Sequence, residues 1–440
     1  MAIFTVARLQ GPSEAQRAAV RTMEARAQPA GRNGFAALWV MPYAVPAAQR
    51  ESLTAEDVAR YVPLVLAGAA DTEGKKHAPF VSVAESRYPD PGVRREGSSI
   101  YCGWRDDDCL DKVAADQKMY GKELAEDAPL LERVIAVSEY DYVRNLFAPG
   151  LDMPIPAYQL LARTMTQSAY LFVSGKVDEA LAATCRDAST ARMLTRSGDN
   201  LIGSMIGAAM LRGSAYLFTD MLSRLPAEYP LPNGCLSAFV APGIEELSVC
   251  EPMRGEFVFG SSGFRASMRR EENESWVGAV QLALTYNEEK TIAQSAANLA
   301  RSCSRDTLAL VQKDEPVRLG LSPGNDYRLW SLQCVDNAMG CILNQIAAPA
   351  YSDYQLRLQD SGARLRLVGA LLWLRANAGD ARPVAEKLKA MPHEFGSESR
   401  KARLTDDGKF LVVDMFDQRA DKTWQVRLPA YLAVAPRSPP

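Results

Sequence analysis

Histidine is almost missing: the 440 residues hold two, His77 and His393. That scarcity removes the commonest general base and metal ligand from nearly every conceivable site. Both lie in proline-marked segments, Lys-Lys-His-Ala-Pro and Met-Pro-His-Glu-Phe, with no serine or cysteine motif nearby, and read as surface or turn residues. No G-x-S-x-G, H-E-x-x-H, Walker lysine loop or Rossmann glycine triplet occurs. Ser197-Gly-Asp-Asn200 is similar to one β-lactamase element, but the S-x-x-K and K-T-G elements are missing. Gly260-Ser-Ser-Gly263 has neither a strand before it nor a lysine after it, so a flexible turn is expected there.

Charge of one sign is also lacking. Lys plus Arg (50) nearly balance Asp plus Glu (53), for a net charge of −3, which leaves no electrostatic footprint for nucleic acid. Arg269–Arg270, bracketed by Glu271, Glu272 and Glu274, reads as a solvated face. Uninterrupted apolar runs of membrane-spanning length are absent. The nearest, Leu201 to Phe218, has Gly203 and Gly207 at small-xxx-small spacing but is broken by Arg212 and flanked by Asp199 and Asp220. A buried helix of a soluble bundle is expected.

What the chain does have is eight cysteines. The even count points to disulfides and an oxidising compartment. No C-x-x-C or cysteine–histidine cluster suggests zinc, and no cofactor is expected. Cys102 and Cys109 flank Gly-Trp-Arg-Asp-Asp-Asp, a loop easily closed by a local bridge. Cys235 and Cys250 bracket a proline-containing turn, where a bridge would contribute about 3 kcal/mol. Cys334 and Cys341 share a helical pattern with Tyr327, Trp330 and Ala338. On one continuous helix they would stand about 10 Å apart, beyond disulfide reach. Pairing Cys303 with Cys334 and Cys185 with Cys341 is then expected. The alternative is that the four helix-face cysteines are reduced core residues. If the compartment inference holds, an export signal or N-terminal membrane anchor is expected upstream, with Ile3 to Ala7 as its stub.

The hydrophobic pattern predicts a mainly α protein. Residues 1–100 read as a small mixed α/β unit: an amphipathic helix over 13–27, the run Phe35 to Met41 as a strand or buried helical turn, a helix with Thr54 as N-cap and Asp57 reaching back to it, and a loop over 71–101. Residues 101–380 read as an irregular array of helical hairpins. Helices are expected over 111–124, 129–145, 158–172, onward from Ser174, 199–225, 243–257, 288–305, 327–347 and 351–377. A proline-bearing loop should cross at 226–242. Helix pairs of roughly 35–45 residues resemble an α-solenoid, but the tetratricopeptide signature is absent. Residues 381–440 read as a small α/β extension, with a short helix over 383–391 and a hairpin of strands 410–416 and 423–428 around an Asp417–Asp421 turn.

Arg254-Gly-Glu-Phe257 and Asn33-Gly-Phe-Ala-Ala-Leu-Trp39 resemble stretches of uncharacterised exported or membrane-anchored proteobacterial proteins. The resemblance implies an envelope location and no catalytic motif. The expected function is non-catalytic protein binding in the periplasm, as an immunity or inhibitor protein or a secretion accessory factor. The alternative is a carboxylate-dependent cell-wall hydrolase. Asp106 to Asp108 lack the alternating ligands of a calcium loop, and Glu245, Glu246, Glu251 and Glu256 are expected to be solvated helix carboxylates.

Overall fold

Two long helices, Val177–Ser197 and Leu201–Ser223, pack along each other at the centre of the molecule. Ala180, Leu181, Cys185, Ala188 and Ala191 recur at helical spacing along the first and are buried. Gly207 of the second leaves no room for a side chain, because a Cβ there would meet the Ala191 carbonyl at 2.7 Å and Thr195 Oγ1 at 2.6 Å. The glycine therefore allows close helix approach within the protein core. Among the described residues this is the one helix long and apolar enough to cross a membrane, and most of it is buried in the protein. The computed structural model describes residues 2–67, 79–90, 100–150, 152–267, 276–419 and 421–432.

The protein is mainly α, with a small antiparallel sheet near its C-terminus. A third long helix, Tyr354–Ala376, lies against Leu201–Ser223, and the sheet packs on both of them. The expected hairpin is the pair β2 (Phe410–Asp414) and β3 (Thr423–Arg427), and a short β1 (Arg403–Leu404) completes the order β1-β2-β3. Leu411 faces Val426 and Val413 faces Trp424, all buried against the helices. One buried cluster runs from Phe35 to Leu432, across positions 100 and 380, so the three expected segments share a core. A second cluster gathers Met23, Leu247, Met253, Phe257, Ile292 and Leu358.

Near the N-terminus, Phe35–Trp39 is a short helix with all five residues buried. Phe35 and Trp39 join Tyr61, Phe80 and Phe147 in a cluster of mostly edge-on rings. The next helix, Arg50–Ala67, starts a turn before Thr54. Asp57 does not cap it but accepts the Trp39 indole N–H at 2.8 Å and the Val83 N–H at 2.9 Å.

All eight cysteines are bridged, but three of the expected pairings are corrected. Cys102–Cys109 forms as expected. Cys235 pairs with Cys185 rather than Cys250, and Cys250 pairs with Cys303 rather than leaving Cys303 to Cys334. Cys334 and Cys341 bridge each other across a Cα separation of 5.8 Å. The expected helix over 327–347 does not run that far: helix begins only at Ala338. Asp326 accepts the Arg328 N–H at 3.0 Å, Ser331 Oγ bonds the Asp326 carbonyl, and Gln333 Oε1 takes the Asp326 N–H. These local polar bonds compete with helix and fold 326–337 into turns.

Other boundaries move for comparable reasons. Gly260-Ser-Ser-Gly263 lies inside the helix Cys250–Ser267, not in a turn, and Ser261 Oγ bonds back to the Val258 carbonyl. The expected helix 243–257 is instead Ile244–Leu247 followed by that longer one. Ser174 ends a helix rather than starting one, and Asn200 caps Leu201–Ser223 by accepting the Gly203 N–H at 2.8 Å. His77 and Arg269–Arg270 lie outside the described residues.

A candidate anion-binding cleft

A cleft of about 470 Å³ opens where four segments distant in sequence converge. Helix Leu201–Ser223 contributes Met205, Ala208, Ala209 and Arg212, a single face by spacing. Helix Tyr354–Ala376 contributes Arg357, Asp360 and Arg364, again one face at steps of three and four. The loop closed by Cys102–Cys109 supplies Trp104 and Arg105, and the β2–β3 connection supplies Asp417, Arg419 and Asp421.

Each wall is fixed by specific contacts. A Cβ on Gly213 would meet the Trp104 Cα at 3.0 Å, so the glycine lets the disulfide loop lie on the helix. Arg212 Nη1 donates to the Trp104 carbonyl at 3.0 Å, and Nη2 stands 3.3 Å from Asp107 and 3.9 Å from Asp421. Asp360 holds the opposite turn, accepting the N–H groups of Phe416 at 2.8 Å and Asp417 at 2.9 Å. Its Oδ1 also takes Nη1 of Arg400 at 2.6 Å. Arg400 is almost fully buried, is shared with Asp314, and lies over the Phe416 ring. Asp314 adopts a left-handed backbone (φ 57°), which a short polar side chain tolerates, and so presents both oxygens to Arg400.

Five arginines and three aspartates line the cleft, but their states differ. Arg357 donates to Asp417 at 2.9 Å, and Arg419 bonds Asp417 at 3.0 Å and Asp353 at 2.9 Å. Burial pushes the Asp417 carboxyl up, but these arginine bonds outweigh it and hold it below the ordinary carboxylate range. Arg105 and Arg364 have no ion pair or hydrogen-bond partner among the described residues, and Arg364 Nε is shielded from solvent. Burial pulls the Arg364 guanidinium down to about 10, with Asp360 restoring only part of the loss.

The acids singled out by sequence are mostly engaged. Asp106 bonds Lys112 and the Gly103 N–H, Asp108 bonds Lys112, and Asp107 lies beside Arg212. Glu246, expected to be solvated, is buried in a two-point contact with Arg192 at 3.1 and 2.9 Å. Glu256 caps the start of the Leu201–Ser223 helix by accepting the Leu201 N–H, and burial pushes its carboxyl up. Glu251 pairs with Arg254, and Glu245 is exposed. His393 is exposed in a short 3-10 turn. Ser197–Asn200 is the junction between the two central helices: Ser197 Oγ accepts the Val143 N–H, and Gly198 is left-handed (φ 59°). Sequence reasoning missed the cleft arginines. The available signal was the spacing of Arg357 and Arg364 on one helix face. The chain matches no protein-family profile, no curated protein and no solved structure.

Proposed function

We propose that the protein is a non-catalytic binding protein of the periplasm, holding a protein partner in the arginine-lined cleft. One observation carries this reading: Trp104 and five arginines line a single preformed cleft while two of the cations lack a partner among the described residues. Tryptophan and arginine are the side chains that dominate binding energy at protein interfaces. Four disulfides fit an oxidising, extracytoplasmic compartment. An envelope inhibitor such as an immunity protein, or a secretion accessory factor, is the concrete form, with a membrane anchor as its means of attachment. A photo-crosslinking residue at Ala209, inside the cleft, tests it in the producing cell against one at exposed Glu394. A single protein captured from position 209 and not from 394 is expected. Equal or no capture from the two positions counts against the reading.

One observation favours a second reading, a carboxylate-dependent glycan hydrolase. Asp107 and Asp421 flank Arg212 at the cleft rim, and burial, with Asp421 adding to it, raises the Asp107 carboxyl above its ordinary value. Two carboxylates in unlike environments are what glycoside hydrolysis uses. Release of sugar from cell-wall glycan that is abolished by both Asp107→Asn and Asp421→Asn would install this reading in place of binding.

A further inference from the structure

Buried arginines in this protein are paired as a rule. Arg192 has Glu246, Arg133 has Asp90, and Arg400 has both Asp314 and Asp360. Arg364, half-buried, departs from this. It lines the cleft, its Nε is out of contact with solvent, and among the described residues it has no carboxylate or carbonyl partner. None of the three cleft aspartates bonds it, and Asp421, 3.9 Å from Arg212 Nη2, acts on Arg364 only through space. Both oxygens of Asp360 are taken by Arg400 and two backbone N–H groups, and Asp417 is held by Arg357 and Arg419. A guanidinium does not escape by losing its proton at any physiological pH, so the charge stays, and Asp360 and Asp421 offset only part of its desolvation.

We infer that the cleft is an oxyanion site, in which the guanidinium of Arg364 receives a carboxylate or phosphate group from the ligand. This rests on the binding reading above and narrows it to a ligand class. The planar fork of Arg364 suits two parallel bonds to such a group. Arg105, without a partner among the described residues and held on the Cys102–Cys109 loop, brings a second cation to the same cleft, and Trp104 lends an aromatic wall. A volume of about 470 Å³ accepts a small organic anion or an acidic side chain with its neighbours. Burial drags Arg364 down to about 10, and an incoming anion beside it would favour the charged guanidinium.

The test uses the full, oxidised chain and three probes at matched ionic strength: inorganic phosphate, succinate and a tri-glutamate peptide, each compared with chloride by calorimetric titration. At least one probe binds saturably, and Arg364→Gln weakens it about tenfold or more, the effect of losing a charge-assisted pair. Exposed Arg328→Gln, outside the cleft, leaves the affinity unchanged. If Arg364→Gln fails to fold, Arg105→Gln takes its place, with about threefold weakening expected from one charge-assisted contact at the more exposed position. Binding of phosphate or succinate assigns a free small anion, and binding of the peptide alone assigns an acidic segment of a partner; either supports the site. No probe binding above chloride, or binding untouched by Arg364→Gln, overturns it. Crosslinking from Ala209 that survives Arg364→Gln removes the oxyanion site and leaves the protein-binding reading. Anion binding lost in Arg364→Gln, with nothing crosslinked, does the reverse.

Discussion

Replacing Cys185 and Cys235 together by alanine removes a bridge that closes a separation of 50 residues, whereas Cys102 and Cys109 close only 7. The cysteines of both pairs are nearly fully buried, at 3% and 0% against 2% and 3%, so the lost packing is similar in the two double variants. What differs is the freedom each bridge denies the unfolded chain. Loop-closure entropy assigns about 4.1 kcal/mol to the long bridge and about 2.4 kcal/mol to the short one. The expected gap, about 1.7 kcal/mol, depends only on the ratio of loop lengths. Urea unfolding of the two oxidised double variants at pH 7 measures it, read at the midpoint and at the slope. The long-bridge variant is also expected to show the larger slope, because its unfolded state expands more. Equal losses, or a larger loss for the 102–109 pair, would refute the pairing or the entropic account of it.

Three further outcomes follow from buried groups. Glu246→Ala strands Arg192, whose remaining bonds go to the Ser237, Ala238 and Val240 carbonyls; a loss of about 3–5 kcal/mol in equilibrium unfolding is expected, and a smaller one when Arg192→Met is added. Burial raises Asp187 to about 6, so between pH 4 and 6 the unfolded chain loses a proton that the native state keeps. Stability then falls as pH rises through that window and levels above it. Asp187→Asn removes the fall, so the variant gains over the parent by up to about 3 kcal/mol at pH 7 and not at pH 4; a pH series of melting curves showing a constant difference would contradict this. Gly255→Ala drives a Cβ into the backbone carbonyl of Asp199, which cannot rotate away, and a loss of about 3 kcal/mol or more is expected by chemical denaturation.

The long helices were legible because their apolar residues repeat at steps of three and four, and Ala180 to Ala191 or Leu365 to Leu374 need no partner to be read. The C-terminal strands were legible from alternation at 410–414 and 423–427. Failures arose where local chemistry or distant packing outweighed that pattern. Tyr327 to Asn337 carries helical spacing, yet Asp326, Ser331 and Gln333 bond the backbone locally and keep it in turns. Gly260-Ser-Ser-Gly263 reads as a breaker, yet it continues a helix already anchored by Met253 and Phe257 in the second core cluster. Disulfide partners followed from neither, because Cys185 meets Cys235 through the crossing of the 226–242 loop over a helix. The cleft was hidden for the same reason: its arginines come from positions 105, 212, 357, 364 and 419. Only the completed core brings those positions together.

The staples and the unpartnered arginine belong to one argument. A half-buried guanidinium shielded at Nε and without a direct partner among the described residues weakens the native state, although Asp360 and Asp421 offset part of the cost. Native proteins hold only about 5–15 kcal/mol in total, so such a group persists only where other terms offset it. Here Cys185–Cys235 pins the 226–242 crossing to the middle of Val177–Ser197, which packs along the Leu201–Ser223 cleft wall, and Cys250–Cys303 ties down the start of Cys250–Ser267, which also touches that wall. The Cys102–Cys109 bridge fixes the loop that carries Arg105 to the same cleft. The sulfurs thus do more than fit an oxidising compartment, since they brace the loop that carries Arg105 and the helices packed against the Leu201–Ser223 wall. It follows that Arg364→Gln stabilises the free protein even as it weakens anion binding. A variant less stable than the parent in the absence of anion would mean that Arg364 serves the fold and not a ligand.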